Sequence, residues 1–342
     1  MDFGNMNDIS QAGAISQPPP PAKKGTGWKI LWAIVTGFSV MTNVILFFVV
    51  VGAVILLASS GGRERKFSEE VIETGPRLTR IAVVSLDGII DQDQAQNFYW
   101  QMKTARDDKT VKGLIIRVNS PGGTLSGSDG IHNEITKYRA ETGKPVIAFM
   151  QGVAASGGYY TSVACDKIIA EPTTITGSIG VIMGYLVLQQ LLEEKLGIQP
   201  VVVKAGAKKD WPSSFQKPTD EQLQYLHDRL IDPAYNRFVG IVADGRKELT
   251  AADVSRLADG SIYWADEALK EKLIDKIGYI KDAIKEVKSK ANIEKAQVIE
   301  YRKTLSLSDI LSAKTGAKMQ IDRKSLYELT CPQVLYLWTG PQ

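Results

Sequence analysis

The chain has 342 residues, 44% hydrophobic and 23% charged, with a formal net charge of +3. That length allows one large domain or two small ones. So small a charge, with no basic stretch interleaved with aromatics, argues against nucleic-acid binding. Two cysteines, Cys165 and Cys331, lie far apart without metal-ligand spacing, so neither a cysteine-built metal site nor a disulfide can be argued.

Residues 1–29 open with a Gln-, Ala-, Ser- and Pro-rich stretch ending in Gln17-Pro-Pro-Pro-Pro-Ala22, and are expected to be a disordered tail with nothing to bury. No charged residue occurs from Ile30 to Ser60. This run exceeds the roughly 20 apolar residues that cross a bilayer and the apolar core of a cleaved signal peptide. A transmembrane helix over 30–60 is expected. Lys23, Lys24 and Lys29 precede it and Arg63, Arg65 and Lys66 follow, so the positive-inside count is tied. A charged linker is expected over 61–79.

From Arg80 the pattern alternates apolar runs with helical segments. Strands are expected at Arg80–Leu86, Leu114–Val118, Pro145–Met150, Lys167–Ala170, Val181–Met183 and Pro200–Val203. Helices are expected at Gln92–Asp107, Gly127–Glu141, after Ser156, at Tyr185–Leu196 and over Thr219–Lys247, the last interrupted near Pro233. This order predicts a parallel-rich α/β catalytic domain over 80–290, closed by Ile262–Gly278, with its ligand site at the carboxyl ends of the strands. A C-terminal extension, 291–342, ends in the apolar Leu335-Tyr-Leu-Trp338. That segment either packs in the core or, lying at a terminus, occupies a substrate cleft.

The most informative stretch is Gly152-Val-Ala-Ala-Ser156-Gly-Gly-Tyr-Tyr160. A serine between a strand and a helix start can cap the helix. It can equally attack an acyl carbon, with nearby backbone amides receiving the oxyanion. Arg117-Val-Asn-Ser-Pro-Gly122-Gly123-Thr ends a strand with N–H groups free of side-chain obstruction, which suits either an oxyanion hole or an ordinary turn. Val203-Lys-Ala-Gly-Ala-Lys208-Lys209-Asp-Trp-Pro212 supplies lysines that can act as a base when burial disfavours their charge, and Ser–Lys pairs are a known variant of triad logic. The two histidines, His132 and His227, lie in expected helices away from the serine motif.

With Thr176-Gly-Ser-Ile-Gly-Val-Ile182, these segments in this order resemble the signal peptide peptidase A family, membrane-bound bacterial serine proteases of the crotonase-like (Clp protease) superfamily. The resemblance runs from about Arg80 to about Ile284. It implies a crotonase-like α/β fold in which Ser156 is the nucleophile, Lys209 the general base and Ser178 the hydroxyl that orients the lysine. The oxyanion donors it implies are the N–H groups of Gly157 and Gly123, with Gly122 as the alternative. Lys208 is a second candidate base, and Lys204 a third that reads better as structural. The family often has serine where this chain has Ala205.

The resemblance further implies remnant signal peptides as substrates, a cytoplasmic N-terminus with the catalytic domain outside, and no metal or organic cofactor. It also implies a ring-like homo-oligomer in which serine and lysine can meet across a subunit boundary. The competing readings are a same-fold protease dedicated to another membrane protein, an acyl-CoA enzyme sharing the Pro-Gly-Gly turn, and a non-catalytic membrane scaffold.

Overall fold

A computed structural model describes residues 26–59, 67–303 and 333–340. The chain divides into two units, Met1–Glu64 and Arg65–Gln342. In the first, Thr26–Ser59 forms one helix, α1. Its apolar stretch Gly27–Val54, with mean hydropathy 2.3, fits a single-pass membrane anchor by length and composition. The helix begins inside the expected tail, at Thr26. Residues 1–25 of that tail lie outside the described residues, as does Cys331.

In the second unit the elements in chain order begin with β1 (Phe67–Glu73), β2 (Arg80–Asp87), α2 (Gln92–Asp107), β3 (Val111–Ser120), β4 (Gly122–Thr124), α3 (Leu125–Thr142) and β5 (Val146–Ala155). Then come α4 (Gly157–Ser162), β6 (Lys167–Ala170), β7 (Ile175–Gly177), β8 (Ile182–Gly184), α5 (Asp220–Leu226) and α6 (Asp232–Gly245). The series ends with α7 (Ala251–Leu257), β9 (Ile262–Trp264), α8 (Ala265–Lys270), β10 (Lys276–Ile277), α9 (Ile280–Lys290), β11 (Gln297–Lys303) and β12 (Gln333–Leu337).

The main sheet runs β1-β11-β2-β3-β5-β6-β10, parallel except for β1, with β7 continuing the far end of β5 and pairing β9. Side chains alternate across it, as a period of two dictates. Ala82, Val84, Leu114, Ile116, Val146 and Ala148 face the larger core, whereas Ile81, Val83, Ile115, Ile147 and Phe149 face the one under α9. This is the expected parallel-rich α/β architecture. Local chemistry fixes the ends of α3: Thr124 accepts from the Gly127 N–H at 3.2 Å, and Gly143 ends the helix in the left-handed region at φ 64°, where glycine lacks the Cβ penalty.

Four expectations change. The linker contains β1, which takes the sheet edge because Phe67 is buried against Tyr301, ring centroids 6.3 Å apart. The sheet also extends past residue 290, since β11 lies between β1 and β2. Pro200–Val203 forms no strand: Val201 and Val203 are 84% and 95% exposed, for apolar β-formers still need a neighbouring edge to pair with. The expected helix Tyr185–Leu196 reduces to a wide π-type turn at Leu191–Lys195 that buries no side chain. A similar turn, His227–Ile231, joins α5 to α6.

Candidate active site

β5 ends at Ala155, and the chain enters α4 through Ser156 at φ 53° and ψ −114°. A left-handed φ is strained for a residue with a Cβ. It is held by hydrogen bonds from the Ser156 N–H to the Gly177 carbonyl and from the Tyr160 N–H to the Ser156 carbonyl, each 2.8 Å. Ser156 occupies the N-cap position, yet its side chain makes no capping bond. The capping alternative therefore falls, and the hydroxyl remains available to do something else. Ser178, also left-handed at φ 50°, lines the same cavity of about 400 Å³ together with Gly180, Tyr235, Asp259 and Leu337.

Gly122 and Gly157 pack against each other next to Ser156. Gly122, at φ 101°, has no room for a side chain: a Cβ there would collide with the Tyr336 carbonyl and lie 2.6 Å from the Gly157 nitrogen. A Cβ on Gly157 would strike the Ser128 hydroxyl and stand 3.1 Å from the Tyr336 oxygen. The Gly122 N–H donates to Ser120 Oγ at 3.1 Å.

The C-terminal strand explains why Tyr336 is so close. β12 runs antiparallel between β4 and β8, with Tyr336 opposite Gly123. The Trp338 N–H donates to the Pro121 carbonyl at 2.8 Å. Ladder alternation then makes Tyr336–Gly123 the hydrogen-bonded pair, directing the Gly123 N–H at the Tyr336 carbonyl. The Tyr336 side chain is buried, stacks on Tyr160 at 5.1 Å, contacts Phe238 at 4.8 Å and donates to the Ala234 carbonyl at 2.7 Å. An extended segment thus lies beside Ser156: Tyr336 packs into the larger core, as the packing reading of Leu335–Trp338 expects, while Leu337 and Trp338 line the cavity that holds Ser156. Sequence reasoning noticed the apolar terminus but had no signal for its partner strands.

The lysines are elsewhere. Lys204, Lys208 and Lys209 are exposed and do not line the cavity with Ser156. Lys204 Nζ is held by Asp210 at 2.6 Å and by the Ala207 carbonyl at 3.1 Å. Lys208 Nζ lies over the rings of Trp211 and Tyr225, 4.8 and 4.3 Å from their centroids, a cation–π geometry. Among the described residues, Lys209 alone of the three has neither an ion pair nor a ring contact. The single chain brings together Ser156, Ser178 and the glycines, and leaves Lys209 apart from them.

Neither histidine lines the cavity. His227 is exposed and paired with Asp232 at 3.3 Å. His132 stands edge-on to Tyr160, centroids 5.4 Å apart, within a network sequence reasoning missed. There Asp129 accepts from Tyr160 at 2.6 Å and from Arg237 Nε at 2.9 Å. Burial holds the His132 pKa below its usual 6.5, opposed by Asp129 and Asp244 and assisted by Arg237 and Arg139. Folding therefore disfavours the charged ring, so its stability contribution is whole above pH 6.5 and is lost as the pH falls from there towards the folded pKa. The thermal midpoint should drop between pH 7 and 5.5, and His132→Phe should flatten that drop. An unchanged slope would contradict it.

An α/β sheet with a strained serine at a strand end, facing glycine turns and an extended peptide segment, defines a serine protease of the Clp type. Residues 66–174 match the Clp protease family and residues 138–294 match peptidase family S49. The chain belongs to peptidase family S49. It is 40% identical over 248 residues to an Enterococcus faecium protein that carries the name signal peptide peptidase SppA, covering 69% of this chain and 71% of that one. It is 35% identical to the chloroplastic serine protease SPPA of Arabidopsis thaliana, over 67% of this chain and 34% of the relative. Protease 4 of Salmonella typhi is 33% identical, over 64% of this chain and 34% of its own length.

Proposed function

We propose that this serine protease is a membrane-anchored endopeptidase that cleaves remnant signal peptides, with Ser156 as nucleophile and Lys209 as general base. The observation that carries this reading is the uncapped, strained Ser156 beside a strand whose Tyr336 carbonyl lies against Gly122 and Gly157 and pairs with Gly123. An apolar, extended substrate would take the same place between β4 and β8. The Ser156 proton passes to the Lys209 amine as Oγ attacks the scissile carbonyl, and the Gly123 and Gly157 amides receive the oxyanion. The C–N bond then breaks, the lysine proton goes to the leaving amine, and water hydrolyses the acyl ester. Ser178, in the same cavity, orients the lysine.

Lys209 meets Ser156 across a boundary between copies in a ring-like homo-oligomer. The exposed apolar side chains of the lysine-bearing segment, Leu186, Leu191, Leu196, Val201 and Val203, support this, because so many large apolar side chains left in water along one segment favour burial by a partner. The N-terminus is cytoplasmic and the catalytic domain outside, as the likeness to the signal peptide peptidase family implies. The test is cleavage of a synthetic signal peptide by the full chain in detergent; no cleavage by well-folded oligomer would sink the substrate assignment.

If β12 competes with substrate for its groove, deleting residues 333–342 should raise the cleavage rate several-fold. A fall in both rate and thermal midpoint would instead make β12 a structural strand.

A further inference from the structure

Ser128 lies in the first turn of α3, directly after the Gly122-Gly123 turn. Its side chain is 0% exposed and its hydroxyl has no hydrogen-bond partner. Three other buried hydroxyls nearby are satisfied. Ser120 Oγ accepts from Gly122, Thr176 Oγ1 donates to the Ala154 carbonyl at 2.6 Å, and Ser162 Oγ donates to the Gly158 carbonyl at 2.8 Å. Burying a hydroxyl without a partner opposes folding. Among the described residues the other buried unpartnered hydroxyls are those of Tyr138, Tyr185 and Tyr301, and the serine beside a candidate oxyanion turn calls for a chemical reason.

The position supplies one. The side of Gly157 where a Cβ would project is filled by the Ser128 hydroxyl, and the same point lies 3.1 Å from both Gly122 Cα and the Tyr336 carbonyl oxygen. The hydroxyl and that carbonyl therefore share one pocket over Gly157. Any other residue at 157 would wedge them apart.

We propose that the Ser128 hydroxyl is a third donor of the oxyanion hole, beside the Gly123 and Gly157 N–H groups. This rests on the proposed acyl-transfer reading with Ser156. In the ground state the carbonyl is neutral and already paired with Gly123. As Oγ adds to the carbonyl carbon, the C=O bond becomes C–O⁻, and the oxygen gains charge and acceptor capacity. Ser128 then turns its O–H to that oxygen without transferring the proton. A donor that finds its partner only at that stage favours the transition state over the substrate.

The experiment compares full-length wild type, Ser128→Ala, Ser128→Cys and Ser156→Ala in detergent. It measures kcat and KM on a synthetic signal peptide, the affinity of a peptide aldehyde whose hemiacetal with Ser156 carries the same oxygen, and the thermal midpoint. Loss of one oxyanion donor lowers kcat by about 10²-fold. Ser128→Ala should show that fall with KM unchanged and a similar fall in aldehyde affinity. Its thermal midpoint should be equal or higher, because no partner loses a bond. Ser128→Cys, a weak donor of similar shape, should fall in the same direction.

Wild-type kcat in Ser128→Ala, or a lower kcat with aldehyde affinity intact, overturns the inference. So does a lowered thermal midpoint with kcat tracking the folded fraction. If wild type does not cut, or Ser156→Ala does, the acyl-transfer reading fails and takes this inference with it.

Discussion

Ser156→Ala should reduce signal-peptide cleavage by at least about 10³-fold, since removing the nucleophile leaves only binding and oxyanion stabilisation. The protein should remain folded. The Ser156 hydroxyl makes no capping bond, so the substitution removes none. Alanine keeps a Cβ at φ 53° and so neither relieves nor adds backbone strain. Initial rates and thermal melting on the same preparation check both halves. Retained activity would return Ser156 to a merely conformational role, and a large drop in melting temperature would leave the rate loss uninterpreted as catalysis. Ser156→Gly serves as the companion: glycine accepts this φ without strain, so it should melt no lower than wild type while being equally inactive.

Lys209→Ala should be as damaging as Ser156→Ala, while Lys208→Met should retain most activity. The physical distinction is that Lys208 is engaged by Trp211 and Tyr225, and Lys204 by Asp210, whereas the Lys209 amine is unengaged. Because Lys209 does not line the cavity of its own Ser156, the sharper experiment mixes the two dead proteins. Co-expressed Ser156→Ala and Lys209→Ala chains should recover about a quarter of wild-type activity, the chance that a lysine-bearing copy sits beside a serine-bearing one in a closed ring. If the pair works within one chain, mixing restores nothing. If Lys208→Met is the dead variant, the base has been assigned one residue too late.

Legibility in the sequence followed the range of the interactions involved. The β–α alternation from Arg80 to Gly278 could be read because burial on both faces of a parallel sheet leaves near-continuous apolar runs such as Leu114-Ile-Ile. The Ser156 and Pro-Gly-Gly turns were legible because their glycines answer to local backbone demands. Whether Ser156 caps its helix was not legible, since that depends on where one hydroxyl points. β1 was hidden because Phe67-Ser-Glu-Glu-Val-Ile-Glu73 reads as a charged connector until its partner, more than 220 residues later, is known. Val201–Val203 failed in the opposite direction: a strong local preference for strand met no partner. Ser128 carried no signal in composition or spacing, for its isolation depends on Gly157, which meets it from another part of the chain.

The order of strands also sets a timetable for biosynthesis. β2 pairs with β3 on one side and with β11 on the other, and among the described residues β1 has only β11 as its neighbour. Although β1 and β2 leave the ribosome early and close together, the strand that must lie between them is completed only at Lys303. Until then β2 presents a bare edge and β1 has nothing to join, a non-local closure that slows folding and exposes edges to wrong pairing. A nascent chain stalled before Gln297 should accordingly be protease-sensitive at β1 and at the outer side of β2, while the β3–β5–β6 block is already able to protect itself.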